Sequence, residues 1–369
     1  MSICSLENCT GCMACMNVCP KSCITAVEND IGHIFPEIDA GKCVDCGLCK
    51  KVCPSINKLQ KNVPSNAYAA INKDAKEYLE SSSGGAAAVL SKYIIENGGI
   101  VYGCTGAMGY DISHIRVDNV KDLWKLRGSK YVESRIGDVY DPIKKDLQNG
   151  KTVLFIGTPC QTAAMRSFFK DNEKLYLVDL ICHGVPPQKL LKEHLKTIEK
   201  TCPDEISFRD GTDYVLKIIK DKNTIKKKKS LFDLYFTGFN KSLYLRESCY
   251  NCIYSEKNRV SDITIGDFWG VGKLGFRCAD GISVILTNTE KGKRLFKMCS
   301  ELLTYEEREV SEAVKGNTNL NRPSVKHKNC DKFRKLYPRL GFKKAANRCL
   351  VVNRIKYLVL AVYQSIGRK

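Results

Sequence analysis

The sequence predicts an α+β chain: a small metal-organised module in front, then an α/β body on a mixed, largely parallel sheet. Three observations predict it. Two identical cysteine runs, holding eight of the twenty cysteines, lie within the first 56 residues, a stretch too short to fold on an apolar core alone. From Ala67 onward, short apolar runs alternate with helical segments. Between the two, Asn57 to Asn66 (NKLQKNVPSN) is polar, carries Pro64 and reads as a linker. The expected divisions are therefore 1–56, 57–66, 67–321 and a tail over 322–369.

Cys9, Cys12, Cys15 and Cys19 precede Pro20, and Cys43, Cys46, Cys49 and Cys53 precede Pro54. Each set reads C-x2-C-x2-C-x3-C-P, the two-cluster ferredoxin run, in which three thiolates hold one cubane and the fourth crosses to its neighbour. By that rule Cys9, Cys12, Cys15 and Cys53 hold one [4Fe-4S] cluster, and Cys43, Cys46, Cys49 and Cys19 hold the second. Zinc would close a tetrahedron with four ligands and leave the repeated rhythm unexplained. A disulfide framework fits less well still. Met1 to Asn8 has no apolar run, so no signal peptide is expected, and the reducing cytoplasm is the expected location. Thr25-Ala-Val and His33-Ile-Phe-Pro-Glu-Ile read as short strands, and because metal binding here is folding free energy, removing iron should unfold the module.

The formal charge of +19 suggests a nucleic-acid partner until it is located. From Arg322 to Lys369 fourteen Lys or Arg face one acid, Asp331, so the tail supplies +13 and residues 1–321 only +6. No base-stacking or groove-reading module accompanies the basic stretch, and nucleic acid is not the expected partner.

In the body, Ala67 to Ile71 reads as a strand, Ser81-Ser-Ser-Gly-Gly as the cap of a helix through about Asn97, and Ile100 to Cys104 as a strand. Thr152 to Ile156 and Leu175 to Ile181 are buried-type strands, each followed by a helix, over Pro159–Lys170 and Pro187–Lys200. Glu205 to Asn240 is β-rich, Ile282 to Leu286 a strand and Glu290 to Leu303 a helix.

Gly157-Thr-Pro-Cys160-Gln161 and Cys182-His183-Gly184-Val-Pro186 stand at the carboxyl ends of consecutive strands. If those strands are parallel neighbours, both cysteines emerge on the sheet edge where open α/β sheets place their sites. Cys249-x2-Cys252 offers two more thiolates. The four make a set for a third [4Fe-4S] cluster; a structural zinc and unrelated buried thiols are the alternatives.

Those motifs, together with Ser82-Ser-Gly-Gly, Val101-Tyr-Gly, Arg127-Gly-Ser-Lys-Tyr131 and Ser261-Asp-Ile-Thr-Ile-Gly-Asp-Phe-Trp-Gly270, resemble the beta-subunit family of coenzyme F(420) hydrogenase/dehydrogenase over Cys9 to about Thr304. The resemblance implies a flavin-binding body holding FAD beside a [4Fe-4S] cluster, and electron exchange with a two-electron acceptor, in archaeal members a deazaflavin. It makes Ser82, Ser83, Gly84 and Gly85 candidates for a flavin edge or phosphate, Lys130 for a cation near N1 and the C2 carbonyl, and Asp267 and Trp269 for the pocket wall. A capped helix, an exposed lysine and a structural turn are the plain alternatives. His183 is a partner of the neighbouring cluster ligand or a proton donor.

Other motifs are set aside. Gly270-Val-Gly272-Lys-Leu-Gly275 spells G-x-G-x-x-G, but Phe276-Arg-Cys-Ala-Asp-Gly behind it is a poor helix start. Lys226 to Lys229 reads as a solvated hairpin or loop. In the tail, Leu350 to Ile366 is apolar but broken by Asn353, Arg354 and Lys356, too short to span a membrane. It suits a helix docked on a partner, lying at the inner membrane face, or packed on its own protein. Two functions stand: an FAD- and [4Fe-4S]-dependent oxidoreductase fed by ferredoxin or a partner subunit, with its small-molecule acceptor open, and a non-enzymatic electron-transfer subunit serving a partner protein, as in a surface-polysaccharide pathway.

Overall fold

A computed structural model describes residues 3–278 and 280–366, with side chains through residue 351. The front module is built on one hairpin, β1 (Ile24–Glu28) against β2 (Ile34–Ile38). The body's strands are β3 (Asn66–Asn72), β4 (Ile100–Thr105), β5 (Ser113–Val117), β6 (Val153–Gly157) and β7 (Leu175–Leu180). They continue as β8 (Glu205–Asp210), β9 (Asp213–Lys220), β10 (Asn223–Lys229), β11 (Ile263–Asp267), β12 (Ser283–Thr287) and β13 (Leu303–Arg308).

Eight of these form one sheet in the order β13-β3-β12-β11-β7-β6-β4-β5. It is mixed, as expected, but parallel pairing is confined to β11–β7, β7–β6 and β6–β4, and the other four pairings are antiparallel. The expectation of a largely parallel sheet is corrected to this extent. Its source was Val153–Gly157 (VLFIG) and Leu175–Leu180 (LYLVDL), whose nearly unbroken apolar runs mark strands covered on both faces. They do occupy the parallel centre, whereas β5 and β13 carry weaker patterns and were not anticipated.

The helices Ala86–Glu96 and Glu290–Cys299 cover one face of the sheet. The helices Tyr140–Gln148 and Pro159–Phe169, with the cysteine module, cover the other. Thus Ile24, Val52 and Cys15 share a core with Tyr102, Phe155 and Leu177, and the module is docked by burial as well as by chain connection.

The region 205–240 is a second layer: β8, β9 and β10 form a three-stranded antiparallel sheet, followed by the helix Leu234–Asn240. Ile206 N–H donates to the Gly106 carbonyl at 2.9 Å, which brings this cap over the carboxyl end of β4. Lys226 to Lys229 lie on β10, the outer strand of that sheet. The tail begins as part of the same unit. A helix over Cys330–Ile366, kinked at Gly341 (φ 70), buries Phe333, Tyr337, Phe342 and Leu350 against Tyr235, Tyr244 and Leu195. Side chains 352–366, which carry most of the amphipathic reading of Leu350 to Ile366, lie outside the described residues. Among the described residues no helix is long and apolar enough to cross a membrane.

Ser81 to Gly85 leads into the expected helix, whose C-cap is Asn97, but without a serine cap. The helix starts at Ala86 with Gly85 as its N-cap (φ 84) and no side-chain cap. The serines bond elsewhere, Ser82 Oγ accepting from Ser129 N–H at 3.0 Å and Ser83 Oγ donating to the Ile282 carbonyl at 2.8 Å.

Candidate functional site

The first cysteine run and the second exchange members, as the spacing requires. Cys19 lies with Cys43, Cys46 and Cys49 around one cavity of about 340 Å³, and Cys46 at its rim is exposed. Cys53 lies with the other set: the Cys4 thiol hydrogen-bonds both Cys9 and Cys53, lowering them to about 7 and about 6, while its own pKa rises. Burial raises Cys12 to about 11, and Cys9 and Cys53 add to the rise. Burial raises Cys15 as well, with Cys12, Cys9 and Cys53 adding to it. Cys4 and Cys23 are extra thiols, the latter 3.3 Å from Cys19.

The donor set suits a polynuclear cluster. A single zinc with Zn–S near 2.3 Å would draw its sulfurs to about 3.8 Å of one another. Among the described residues the one group of three or more ligating side chains gathered within 4.8 Å is Glu247, Cys330 and Asp331. Lys326 bridges both of its acids, at 3.4 and 2.9 Å, which already neutralises that group. Among the described residues no cysteine set is gathered that tightly, and Cys19, Cys43, Cys46 and Cys49 share one cavity.

The four other candidate ligands, Cys160, Cys182, Cys249 and Cys252, come from three segments. β6 and β7 are parallel and in register, Gly157 opposite Asp179, so Cys160 and Cys182 leave the same sheet edge. Pro159 takes the first position of its helix and the Gln161 side chain accepts from Thr158 N–H at 3.0 Å, which fixes the turn that presents Cys160. Cys249 and Cys252 approach from the loop around the short helix Glu247–Tyr250. Burial raises Cys160, and Cys252 and Cys249 raise it further. Burial lifts Cys182 to about 12, with Cys160 and Cys252 adding to it, and it raises Cys249, to which Cys182 adds. Buried thiols that oppose one another's ionisation become a binding site when a metal takes the protons' place.

This set adjoins the module. Cys12 contributes to the rise of Cys160, and Tyr254, raised first by burial, feels Cys160, Cys12, Cys252 and Cys53. The linker joins the same cluster: Leu59, like Cys160 and Cys252, packs against Ala163, Tyr254 and Val260, and Asn62 pairs through its backbone with Arg259 at 2.7 and 2.9 Å. His183, beside Cys182, is held on both ring nitrogens, by the Phe239 carbonyl and Ser242 Oγ at 3.1 and 3.2 Å and by Ser324 Oγ at 3.1 Å. That arrangement favours the reading of His183 as a cluster-ligand partner over a proton donor.

The other candidates meet at the same edge, at the ends of β3, β4 and β11. Ser82 and Asp267 are joined by Arg209, which donates to the Ser82 carbonyl, lies 3.8 Å from the Asp267 carboxylate, and stacks on Tyr214 at 4.1 Å. Arg209 also donates to Tyr131 Oη at 3.1 Å. Lys130 is half-buried rather than exposed; burial lowers its pKa, and its ammonium donates to the Leu126 and Arg127 carbonyls at 2.9 and 2.7 Å. Gly84 serves packing, since a Cβ there would fall on the Ala70 carbonyl oxygen. Trp269, whose N–H donates to the Asp267 carbonyl at 3.2 Å, is 53% exposed with its backbone against Gly316. Sequence reading missed Arg209 and Tyr214, which belong to the cap, and Tyr254, whose one visible signal is its place two residues after Cys252.

Residues 8–57 match the 4Fe-4S dicluster domain, and residues 150–313 match the C terminus of the coenzyme F(420) hydrogenase/dehydrogenase beta subunit. The coenzyme F(420)-dependent sulfite reductase of Methanocaldococcus jannaschii is 28% identical over 299 residues, 78% of this chain and 45% of that protein. The chain thus spans less than half the length of that relative. An uncharacterized protein of Porphyra purpurea is 42% identical over 62 residues, 16% of this chain and 83% of its own. Among solved structures, the F(420)-reducing [NiFe] hydrogenase complex of Methanosarcina barkeri has a chain 17% identical, with a TM-score of 0.47, covering 78% of this chain and 91% of that one. In this order, the chain carries a 4Fe-4S dicluster domain at its front and a body whose residues 150–313 are similar to the C terminus of the coenzyme F(420) hydrogenase/dehydrogenase beta subunit.

Proposed function

We propose that this iron-sulfur oxidoreductase is a flavoprotein, exchanging electrons between its cysteine-held clusters and a two-electron acceptor with FAD as the converter. The carrying observation is the succession of thiol sets: an exposed one at Cys46, a buried one around Cys9, and a third at Cys160 on the sheet edge that also bears Ser82, Lys130 and Asp267. Clusters supply one-electron carriage and a flavin supplies the change between one and two electrons. In this reading the eight front cysteines and Cys160, Cys182, Cys249 and Cys252 are ligands, while Ser82, Ser83, Gly84, Gly85, Lys130, Asp267 and Trp269 contribute to the flavin site.

The chain's own residues do the holding. Gln161 and Pro159 orient Cys160, the Ser324 and Ser242 hydroxyls orient His183, and Arg209 gathers Ser82 and Asp267. Lys21 and Lys50, both exposed and lining the cavity that holds Cys46, suit an acidic carrier protein as donor. The M. jannaschii relative's dependence on coenzyme F(420) supports a deazaflavin as acceptor or donor; its sulfite reduction is not carried over, because under half of that protein is matched.

One observation favours the second reading, an electron-transfer subunit without bound flavin that serves a partner protein: Lys130 already spends two protons on carbonyls. Iron, sulfide and flavin content of anaerobically purified protein decides. About twelve irons and one FAD per chain support the flavoprotein; about eight irons without flavin leave only the front module chemically active.

A further inference from the structure

Arg246 is 1% exposed, and its side chain reaches from the segment that carries Cys249 into the first cysteine run. Its guanidinium donates to the Cys9 carbonyl at 3.4 Å, the Ile34 carbonyl at 2.9 Å and Glu133 Oε1 at 2.5 Å, and lies 4.8 Å over the Phe35 ring. Its own N–H donates to the Val185 carbonyl at 3.0 Å, and Glu133 N–H to the Pro186 carbonyl at 2.8 Å, so both ends are anchored beside Cys182. Glu133 Oε2 meets His33 Nδ1 at 3.1 Å. Gly11, between Cys9 and Cys12, has φ +69, and a Cβ there would stand 2.5 Å from Arg246 Nη2. The cysteine loop is therefore shaped around this guanidinium.

A buried ion pair is weak evidence for stability, because desolvating both charges offsets most of their attraction. What it does supply here is a fixed positive charge against the Cys9 loop, three residues before Cys249, in a medium of low dielectric.

We infer that Arg246, held by Glu133, is a positioning residue that sets the reduction potential of the cluster at Cys9 and fixes its distance to the Cys160 set. Adding one electron makes a cluster more negative, so a neighbouring cation favours the reduced form and a neighbouring anion opposes it. The two partners must therefore act with opposite sign. Glu133→Gln leaves Arg246 uncompensated and moves the potential positive. Arg246→Met leaves Glu133 uncompensated and moves it negative. A shift of about 59 mV would correspond to a ten-fold change in the reduced-to-oxidised ratio for a one-electron couple.

The experiment is a redox titration of the full chain, followed by EPR of the reduced clusters, on both variants and on the neutral pair Arg246→Met with Glu133→Gln. Opposite shifts in the single variants, with the double variant between them, support the assignment. Shifts of the same sign, or none, overturn it, since a packing defect has no reason to follow the sign of the charge removed. If Arg246→Met fails to retain iron, Glu133→Gln alone decides: a potential that does not rise overturns the proposal. The result does not depend on flavin content, which is scored separately.

Discussion

The Tyr140 hydroxyl donates to the Cys12 carbonyl oxygen at 2.9 Å, joining a helix of the body to the backbone of the first cysteine run. Tyr140 is fully buried, so no water replaces the bond when it is removed. Tyr140→Phe should cost about 1 kcal/mol and hasten iron release. Chelator-induced bleaching at fixed denaturant checks this, and an unchanged rate would show that the module is held by its apolar contacts alone.

Cys160 sits in the third set near enough to Cys12 that the Cys12 thiol adds to the rise of its pKa, after burial and Cys252. Cys160→Ala should lower iron from about twelve to about eight per chain while flavin is retained. Iron analysis of the purified variant is the check; full iron content would remove Cys160 from the ligands.

Lys130 lies half-buried against two carbonyls. If it also faces the flavin, Lys130→Met should weaken FAD binding by about ten-fold or more, the scale of a charge-assisted hydrogen bond. Fluorescence titration of flavin-stripped protein measures it, and equal affinity in the variant would count against the role.

At Gly84 a Cβ would strike the Ala70 carbonyl and stand 2.5 Å from Ser283 N, both in the β3–β12 ladder. Gly84→Ala should destabilise the body by about 3 kcal/mol. Denaturant unfolding followed by tryptophan fluorescence tests it. A loss under about 1 kcal/mol, the low end for an overpacked site, would mean that the loop moves freely from the strand.

His114 is buried with both nitrogens engaged, to Ser134 Oγ at 2.8 Å and the Ile156 carbonyl at 2.9 Å, and burial lowers its pKa from 6.5 to about 4. Below pH 6.5 the unfolded chain takes up a proton that the folded chain refuses, so this residue's share of stability is full above 6.5 and declines as pH falls towards 4. Between about pH 6.5 and 5 the decline is about 2 kcal/mol. His114→Gln should flatten the wild-type slope by that amount; parallel slopes would show the ring to be protonated in the fold.

The two kinds of cysteine set differ in how far local order reveals them. C-x2-C-x2-C-x3-C-P is a local pattern, because one tight loop must aim three sulfurs at one cubane, and its crossing rule already placed Cys19 with Cys43 and Cys53 with Cys9. Cys160 and Cys182 were legible for a weaker reason: each follows a buried-type strand, and parallel neighbours end on the same edge. The near-parallel sheet was overdrawn because β5 and β13 are edge strands whose partly exposed residues dilute the alternation.

Covalent spacing therefore determined the 4Fe-4S chemistry of the front module and the sheet edge on which Cys160 and Cys182 emerge. It could not determine what faces that edge. Arg209, Tyr214, Arg246 and Glu133 acquire meaning only when residues distant in sequence are desolvated together: Arg246 meets Cys9 across 237 positions and Glu133 across 113. A charge takes its effect from the dielectric and the partners around it, and those come into being with the packing of the module and cap on the sheet.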